Sequence, residues 1–217
     1  MFVSAEVRWF WPSAEPPLRF REWFLSSVAH PCAAGGGLPR DDAYLDDPGQ
    51  TELGIKARGS KPGLEVKGLV ALLPDAIPDG PFKGPVEIWT KWTSSALKLR
   101  PEQTKATTKT RWLRKFDTTD GRLAEIEVGS DEEPLVGSRP AAGCNVELAR
   151  VNIGAETVWT FGLEAFGALG SLTAQIQAVA SVLVSRTPPP MGDVVVSSYP
   201  GWLNARAKAF IPKMRAV

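Results

Sequence analysis

The stretch FVSAEVRWFW, residues 2–11, alternates in chemistry from one residue to the next. The polar members share one parity and the apolar members share the other: Ser4, Glu6 and Arg8 against Val3, Val7 and Trp9. Because successive side chains of a β-strand point to opposite faces, this alternation predicts a strand with one polar and one apolar face. The prolines that follow Trp11 predict where the strand ends.

Comparable alternation continues as far as residue 166 and predicts about eight antiparallel strands. These strands come from nine candidate segments: the first, 2–11, and then 43–46, 52–58, 64–72, 86–93, 107–117, 122–128, 145–153 and 157–166. A short helix is predicted over 18–29 and a long one over 167–185. These elements predict a mainly β, α+β fold with flanking helices. Because a closed sheet has no exposed edge, the strands are expected to form an antiparallel closed or nearly closed barrel. We expect one domain over residues 1–217, with 186–217 as a tail packed on its outside.

The composition is that of an ordinary globular protein without a dominant charge. Of 217 residues, 43% are hydrophobic, and 25 Lys and Arg against 24 Asp and Glu give a net charge of +1. No overall field draws such a chain to nucleic acid polymers or membranes, and neither is expected as a partner. Cys32 and Cys144 lack metal-ligand spacing, and the single histidine, His30, argues against a zinc site or a histidine-dependent relay. The start of the chain has no signal-peptide pattern, so a cytoplasmic location is expected.

Charged residues share one parity within most of the predicted strands. Examples are Lys56 and Arg58, Glu65 and Lys67, Glu87 and Lys91, and Lys109 and Arg111. Two interpretations stay open at this point. In the first, the charges form the solvated outer face of a barrel with an apolar interior. In the second, they point into a wet tunnel where bases hold an anion and acids hold a metal, and the apolar parity packs against outer helices.

Several short motifs follow one another in the order of a known superfamily. They are Glu6-Val7-Arg8, Asp42-Ala43-Tyr44-Leu45-Asp46, Lys56-Ala57-Arg58, Leu64-Glu65-Val66-Lys67-Gly68, Lys109-Thr110-Arg111, Val146-Glu147-Leu148 and Gly162-Leu163-Glu164. Through these motifs, residues 3–166 resemble the CYTH superfamily of triphosphate tunnel metalloenzymes, which includes class IV adenylate cyclases and thiamine triphosphatases.

The resemblance implies a tunnel barrel that hydrolyses a small-molecule triphosphate or nucleotide with a divalent metal, Mg²⁺ or Mn²⁺. It implies that Glu6 and Glu164 are catalytic, and that Glu6, Glu147 and Glu164 are metal ligands. The implied substrate-binding residues are all basic: Arg8, Lys56, Arg58, Lys67, Lys109 and Arg111. The chain would then be a metal-dependent phosphohydrolase.

Two departures from the superfamily pattern bear on that activity. Ser4 stands where the opening motif has its first Glu, and Ala149 and Gly162 stand where a second late acid belongs. Fewer carboxylates weaken the binding of a hard cation. Two alternatives therefore stay open: a non-catalytic barrel or interaction module that binds an anion or nucleotide, and an unrelated lipocalin-like barrel for an apolar ligand. The inward or outward direction of Lys56 and Arg58 separates the second alternative from the other functions.

Overall fold

A computed structural model describes residues 2–12, 18–26, 39–59, 61–77, 80–129 and 132–209. The strands in these ranges are β1 (Phe2–Trp11), β2 (Arg40–Leu45), β3 (Leu53–Arg58), β4 (Lys61–Ile77), β5 (Gly84–Ser94), β6 (Thr104–Asp117), β7 (Ala124–Ile126), β8 (Gly143–Ile153), β9 (Glu156–Phe166) and β10 (Val195–Val196). The helices are α1 (Leu18–Ser26), α2 (Leu172–Ser185) and α3 (Tyr199–Ala209). His30, Cys32 and the last three residues of the first predicted helix lie outside the described residues.

Eight of these strands form one closed antiparallel barrel. Their order around the ring is β1-β5-β4-β3-β2-β6-β8-β9, and β9 pairs with β1 from Ser4↔Phe166 to Trp11↔Trp159. The two remaining strands extend the sheet, because β7 pairs with β6 and β10 pairs with β1. The pairing of β9 with β1 removes the free edges of the ring, and the predicted fold class is confirmed.

The strand boundaries depart most from the prediction around proline. Residues 74–85, predicted as a connector, contain the end of β4 and the start of β5, which pair with each other. Pro74 lies where the register of β4 shifts, a position at which the ladder tolerates a missing N–H. The predicted turn at Asp120-Gly121 is confirmed, since both residues have positive φ and β7 returns to pair with β6.

The apolar parity of the strands packs against α1 and α2. Ala5, Val7 and Trp9 of β1 are at most 3% exposed. They belong to one cluster with side chains of α1, β9 and α2, among them Phe20, Phe24, Phe161, Leu163, Ile176 and Val179. Fully burying a large apolar side chain contributes about 1.5–3 kcal/mol. This face is therefore held outward under the helices, and the charged parity is left to the interior.

The C-terminal segment enters one end of the barrel interior. Trp202 of α3 stacks on Phe10 with 4.6 Å between ring centroids, and Tyr199 stacks on Tyr44 at 5.9 Å. Phe10 and Tyr44 have the parity of the charged residues of β1 and β2, so the rings of α3 fill the interior beyond the charges. The expected outside position is therefore wrong for residues 199–204, and residues 210–217 lie outside the described part of the chain. None of the described helices is long and apolar enough to cross a membrane.

Candidate anion-binding cavity

The charged parity lines a cavity at the end of the barrel where β1 begins and β9 ends. Its outer part has a volume of about 890 Å³, and a narrower inner part reaches Tyr199 and Pro200 at α3. The structure brings all the predicted site residues to the wall of the inner part: Glu6, Arg8, Lys56, Arg58, Lys67, Lys109, Arg111, Glu147 and Glu164. A lipocalin-like barrel for apolar cargo would require these charges outside, and they lie inside.

Glu147 of β8 is the shared partner of three bases. Arg8 donates to one carboxylate oxygen at 2.8 Å and Lys109 donates to the same oxygen at 2.7 Å, while Arg111 lies 3.4 Å from the other oxygen. Glu147 is only 7% exposed. Burial raises the pKa of a carboxyl group, yet the three cations hold the pKa of Glu147 well below its ordinary value, with Lys109 contributing most among them.

Gly162 of β9 allows Arg8 to reach that carboxylate. The strand β9 lies between β1 and β8, and Gly162 is the register partner of both Arg8 and Glu147. A Cβ at position 162 would lie 2.9 Å from the Arg8 guanidinium carbon. The absence of a side chain therefore lets Arg8 pass over β9, where it also donates to Thr160 Oγ1 at 3.0 Å. The sequence pattern suggested a missing acid at this position; the structure gives the glycine a steric role.

Glu65 of β4 is the shared partner of a second set of three bases. Lys56, Arg58 and Lys91 lie 3.3 Å, 3.0 Å and 3.3 Å from its carboxylate oxygens. Lys56 and Arg58 come from β3 and Lys91 from β5, the two strands that flank β4. Burial raises the pKa of Glu65, but the bases, Lys56 first, lower it to about 2.

The two clusters face each other across the cavity. The strands that carry Glu65 and Glu147, β4 and β8, are four strands apart in either direction around the ring of eight. Two further carboxylates contact members of these clusters: Asp42 lies 3.5 Å from Lys56, and Glu132 of the loop after β7 pairs with Arg111. Asp42 also pairs, at 3.1 Å, with Arg40, a base outside the two clusters. Six bases therefore face one another with only four carboxylates among them.

The other acids of the cavity form a separate row. Glu6 is the register partner of Glu164 on one side and of Glu87 on the other. Glu6 accepts from Ser4 at 2.9 Å and from Lys67. Burial raises its pKa, but Lys67, Arg8 and the hydrogen bond from Ser4 together outweigh burial and leave the pKa of Glu6 lowered. The pKa values of Glu164 and Glu87 are raised, chiefly by burial, with the charge of Glu6 adding to the shift in both.

The predicted metal ligands do not come together as a ligand set. Glu147 belongs to a base cluster, whereas Glu6 and Glu164 belong to the acid row. Within the part of the chain that the structure describes, no three Asp, Glu, His or Cys side chains are arranged to hold a metal ion. Ser4 stands in the place of the first acid of the resembled motif, and its hydroxyl donates a hydrogen bond to Glu6. The residues present therefore do not fit a preformed Mg²⁺ or Mn²⁺ site.

The two tyrosines of the chain form the inner end of the cavity. Arg8 and Lys109 each lie 4.7 Å from the centre of the Tyr199 ring, and Lys56 lies 5.4 Å from the centre of the Tyr44 ring. Burial raises the pKa of the Tyr199 hydroxyl, but Lys109 and Arg8 outweigh it, so the pKa is lowered. The tyrosines thus present ring faces to the same bases that hold the carboxylates.

Sequence reasoning gave no site role to several residues of this interior. Glu65, Glu87 and Lys91 are recognised by their parity as part of the charged face; Glu65 and Lys91 line the cavity, and Glu87 is the register partner of Glu6. Tyr199 gave no such signal, because it lies in a tail without strand alternation. Its position depends on where the tail folds back, which no local pattern encodes.

Comparisons with known proteins leave the family open. No family model matches the chain, and no curated protein matches it. Among solved structures, the chain is similar to a conserved hypothetical protein from Pyrococcus furiosus at 11% identity, over 83% of this chain and 90% of that one, with a TM-score of 0.36.

Proposed function

We propose that the barrel binds a small, multiply charged anion, a triphosphate or a nucleotide, between its two base clusters. The observation that carries this proposal is the opposition of Arg8, Lys109 and Arg111 on one wall to Lys56, Arg58 and Lys91 on the other. Three bases against two carboxylates leave each wall with positive charge that an entering anion would offset. A chain with net charge +1 gains such a site only by local placement.

The chemistry of these bases suits phosphate oxygens. Arg8, Arg58 and Arg111 have planar guanidinium groups that can donate two parallel hydrogen bonds to one phosphoryl group. Lys56 and Lys109 add compact charges with side chains that are 14% and 7% exposed. Because water is partly excluded there, each contact to an anion is worth more than on an open surface. A linear triphosphate has enough charged oxygens to contact both walls.

The binding proposal is tested by the thermal stability of the parent in tripolyphosphate or ATP at low salt. A ligand that binds only the folded state stabilises it by about 2.7 kcal/mol at one hundred times its Kd, so the melting temperature should rise. The rise should shrink in Lys56→Ala and Arg58→Ala, and remain in the matched control Lys98→Ala, whose lysine is exposed outside the cavity. No rise for the folded parent at millimolar ligand would overturn the proposal.

A second candidate function is metal-dependent hydrolysis of the bound triphosphate. The row of Glu164, Glu6 and Glu87 favours it, because adjacent carboxylates with raised pKa values at Glu164 and Glu87 would gain from a divalent cation. The row is not a preformed ligand set, so the cation, Mg²⁺ or Mn²⁺, would have to be recruited with the anion. Glu6 and Glu164 are the residues proposed to carry this activity.

Phosphate release separates the two candidates. Three proteins are compared: the parent, Glu164→Gln and Ser4→Glu. Each is incubated with tripolyphosphate, ATP or thiamine triphosphate in the presence of Mg²⁺ or Mn²⁺. Hydrolysis by the parent that falls by about a hundredfold in Glu164→Gln supports the enzyme. An inactive parent together with an active Ser4→Glu variant supports a relative of the triphosphate tunnel metalloenzymes that has lost its activity. If none of the three proteins releases phosphate and anion binding is intact, the non-catalytic binding barrel is the function that remains.

A further inference from the structure

One aromatic ring touches two of the three bases that surround Glu147. The ring centre of Tyr199 lies 4.7 Å from the Arg8 guanidinium and 4.7 Å from the Lys109 ammonium. Both bases donate to the same Glu147 oxygen, at 2.8 Å and 2.7 Å. Tyr199 is thus the contact that these two cations share, apart from the carboxylate itself.

Such a ring has a physical effect on the cations beside it. The face of an aromatic ring carries partial negative charge because of the ring quadrupole, so it attracts a cation without neutralising its charge. A carboxylate in the same place would hold the bases equally well but would repel an entering anion. A tyrosine ring therefore orients Arg8 and Lys109 and leaves their charge available for a ligand.

The position of Tyr199 is fixed by the packing of α3 inside the barrel. The Phe10 and Tyr199 rings form a T-shaped pair, with 5.5 Å between centroids and planes at 82°, and the Tyr199 hydroxyl lies 3.3 Å from Thr160 Oγ1. The next residue, Pro200, fills the space above Gly54, where a Cβ would come within 2.8 Å of the proline ring. Farther along, Asn204 donates to the carbonyl of Gln50. The helix is therefore seated at defined contacts on β1, β3 and β9 and on the turn before β3.

We infer that Tyr199 is a positioning residue of the anion site, and that α3 belongs to the binding machinery of the cavity. By this inference, which rests on the proposed binding function, the ring holds Arg8 and Lys109 in the geometry that an anion meets. A chain that lacked the ring would keep all six bases and still bind the anion more weakly. The ligand class is the one proposed above, a small phosphate-rich anion.

The test measures tripolyphosphate affinity by calorimetry at low salt in the parent, Tyr199→Phe, Tyr199→Leu and Val179→Ala. Tyr199→Phe keeps the ring face, and its Kd should stay within about threefold of the parent, whereas Tyr199→Leu should weaken binding by about tenfold or more. Val179 is a buried apolar residue of α2 on the outer face of the barrel, so Val179→Ala should lower the melting temperature and leave the Kd unchanged. If Tyr199 acted only by filling space, Tyr199→Leu would bind nearly as well as Tyr199→Phe. If it acted through its hydroxyl, Tyr199→Phe would lose affinity as well.

The outcomes distinguish this inference from the proposed function. If the parent does not bind tripolyphosphate, the binding function itself fails. If the parent binds and Tyr199→Leu binds equally well, the inference is overturned and the function stands. If Tyr199→Leu does not fold, Tyr199→Met, which fills similar space without an aromatic face, takes its place. Its Kd should be about tenfold or more above that of Tyr199→Phe, and equal Kd values for the two variants would overturn the inference.

Discussion

Glu147 holds three cations in place and, in the proposed function, competes with the ligand for them. Arg8, Lys109 and Arg111 all contact its buried carboxylate. In the free protein this carboxylate offsets mutual repulsion among the bases, which would otherwise destabilise the fold. An anion that enters the cavity would offer the same bases more negative charge. The same residue is thereby expected to stabilise the free protein and to oppose binding.

Replacing Glu147 with Gln should move stability and affinity in opposite directions. Removing one member of a buried ionic cluster costs about 3–5 kcal/mol, so denaturant unfolding should show a less stable free protein. The Kd for tripolyphosphate should fall, because the competing carboxylate charge is gone. Glu147→Asp keeps the charge and serves as the control, with a smaller loss of stability and no gain in affinity. Weaker binding by Glu147→Gln in a folded sample would contradict this account of the site.

At the scale of the elements, β9 separates Arg8 from its partner and yet permits their contact. Arg8 on β1 and Glu147 on β8 both face Gly162 of β9. In the wall of a barrel, a side chain that bridges two non-adjacent strands must cross the strand between them. A glycine in that strand is the simplest way to leave room, since any Cβ there would meet the guanidinium group.

Gly162→Ala should therefore weaken anion binding through Arg8 alone. The added methyl group would push the far end of the Arg8 side chain away from Glu147, so the variant should fold but lose stability, by less than the about 3–5 kcal/mol that removing a member of a buried ionic cluster costs. The displaced guanidinium should raise the Kd for tripolyphosphate by about tenfold. In an Arg8→Ala background the same change should have almost no effect, and calorimetry on all four proteins completes the cycle. Equal effects in both backgrounds would show that Gly162 acts without Arg8.

Alternation within single elements explains how much of this arrangement the sequence could predict. The bounds of β1 and the parity of Lys56, Arg58 and Lys67 follow from local pattern, because a strand sends successive side chains to opposite faces. Which carboxylate a base contacts depends on register between strands distant in sequence, and no local pattern encodes it. The grouping of Glu147 with bases, rather than with Glu6 and Glu164, was unpredictable for that reason. The same holds for Tyr199, which reaches the cavity only because the tail folds back into the barrel.

At the scale of the whole molecule, the barrel segregates charge that the chain as a whole balances. The chain carries a net charge of +1, yet its bases gather around Glu65 and Glu147 while Glu6, Glu87 and Glu164 lie side by side. An outer layer of helices makes this possible, because it covers the apolar face of the strands and leaves the polar face to line the interior. The stability of such a molecule should depend on pH wherever a shared carboxylate takes up a proton.

Glu65 defines one window of that dependence. Its pKa is lowered in the folded protein from 4.5 to about 2, so the unfolded chain binds the proton more readily. The stabilisation from its three bases is therefore complete above about pH 4.5 and is lost as the pH falls towards about 2. Since one pKa unit corresponds to about 1.4 kcal/mol, this contribution is at most about 3 kcal/mol, reduced by the solvent that reaches the cavity.

Urea unfolding of the parent and of Glu65→Gln across pH 2 to 7 measures this contribution directly. The variant should be less stable than the parent at neutral pH, and the difference should shrink between pH 4.5 and pH 2 as the parent loses the charge that the variant lacks. Titration of the other carboxylates is common to both proteins and cancels in the difference. Glu22→Gln, which alters an exposed glutamate of α1, should follow the parent at every pH. A difference between the parent and Glu65→Gln that stayed constant across the whole range would mean that the bases do not act on Glu65 through its charge, and the same charges could not then be expected to hold a phosphate.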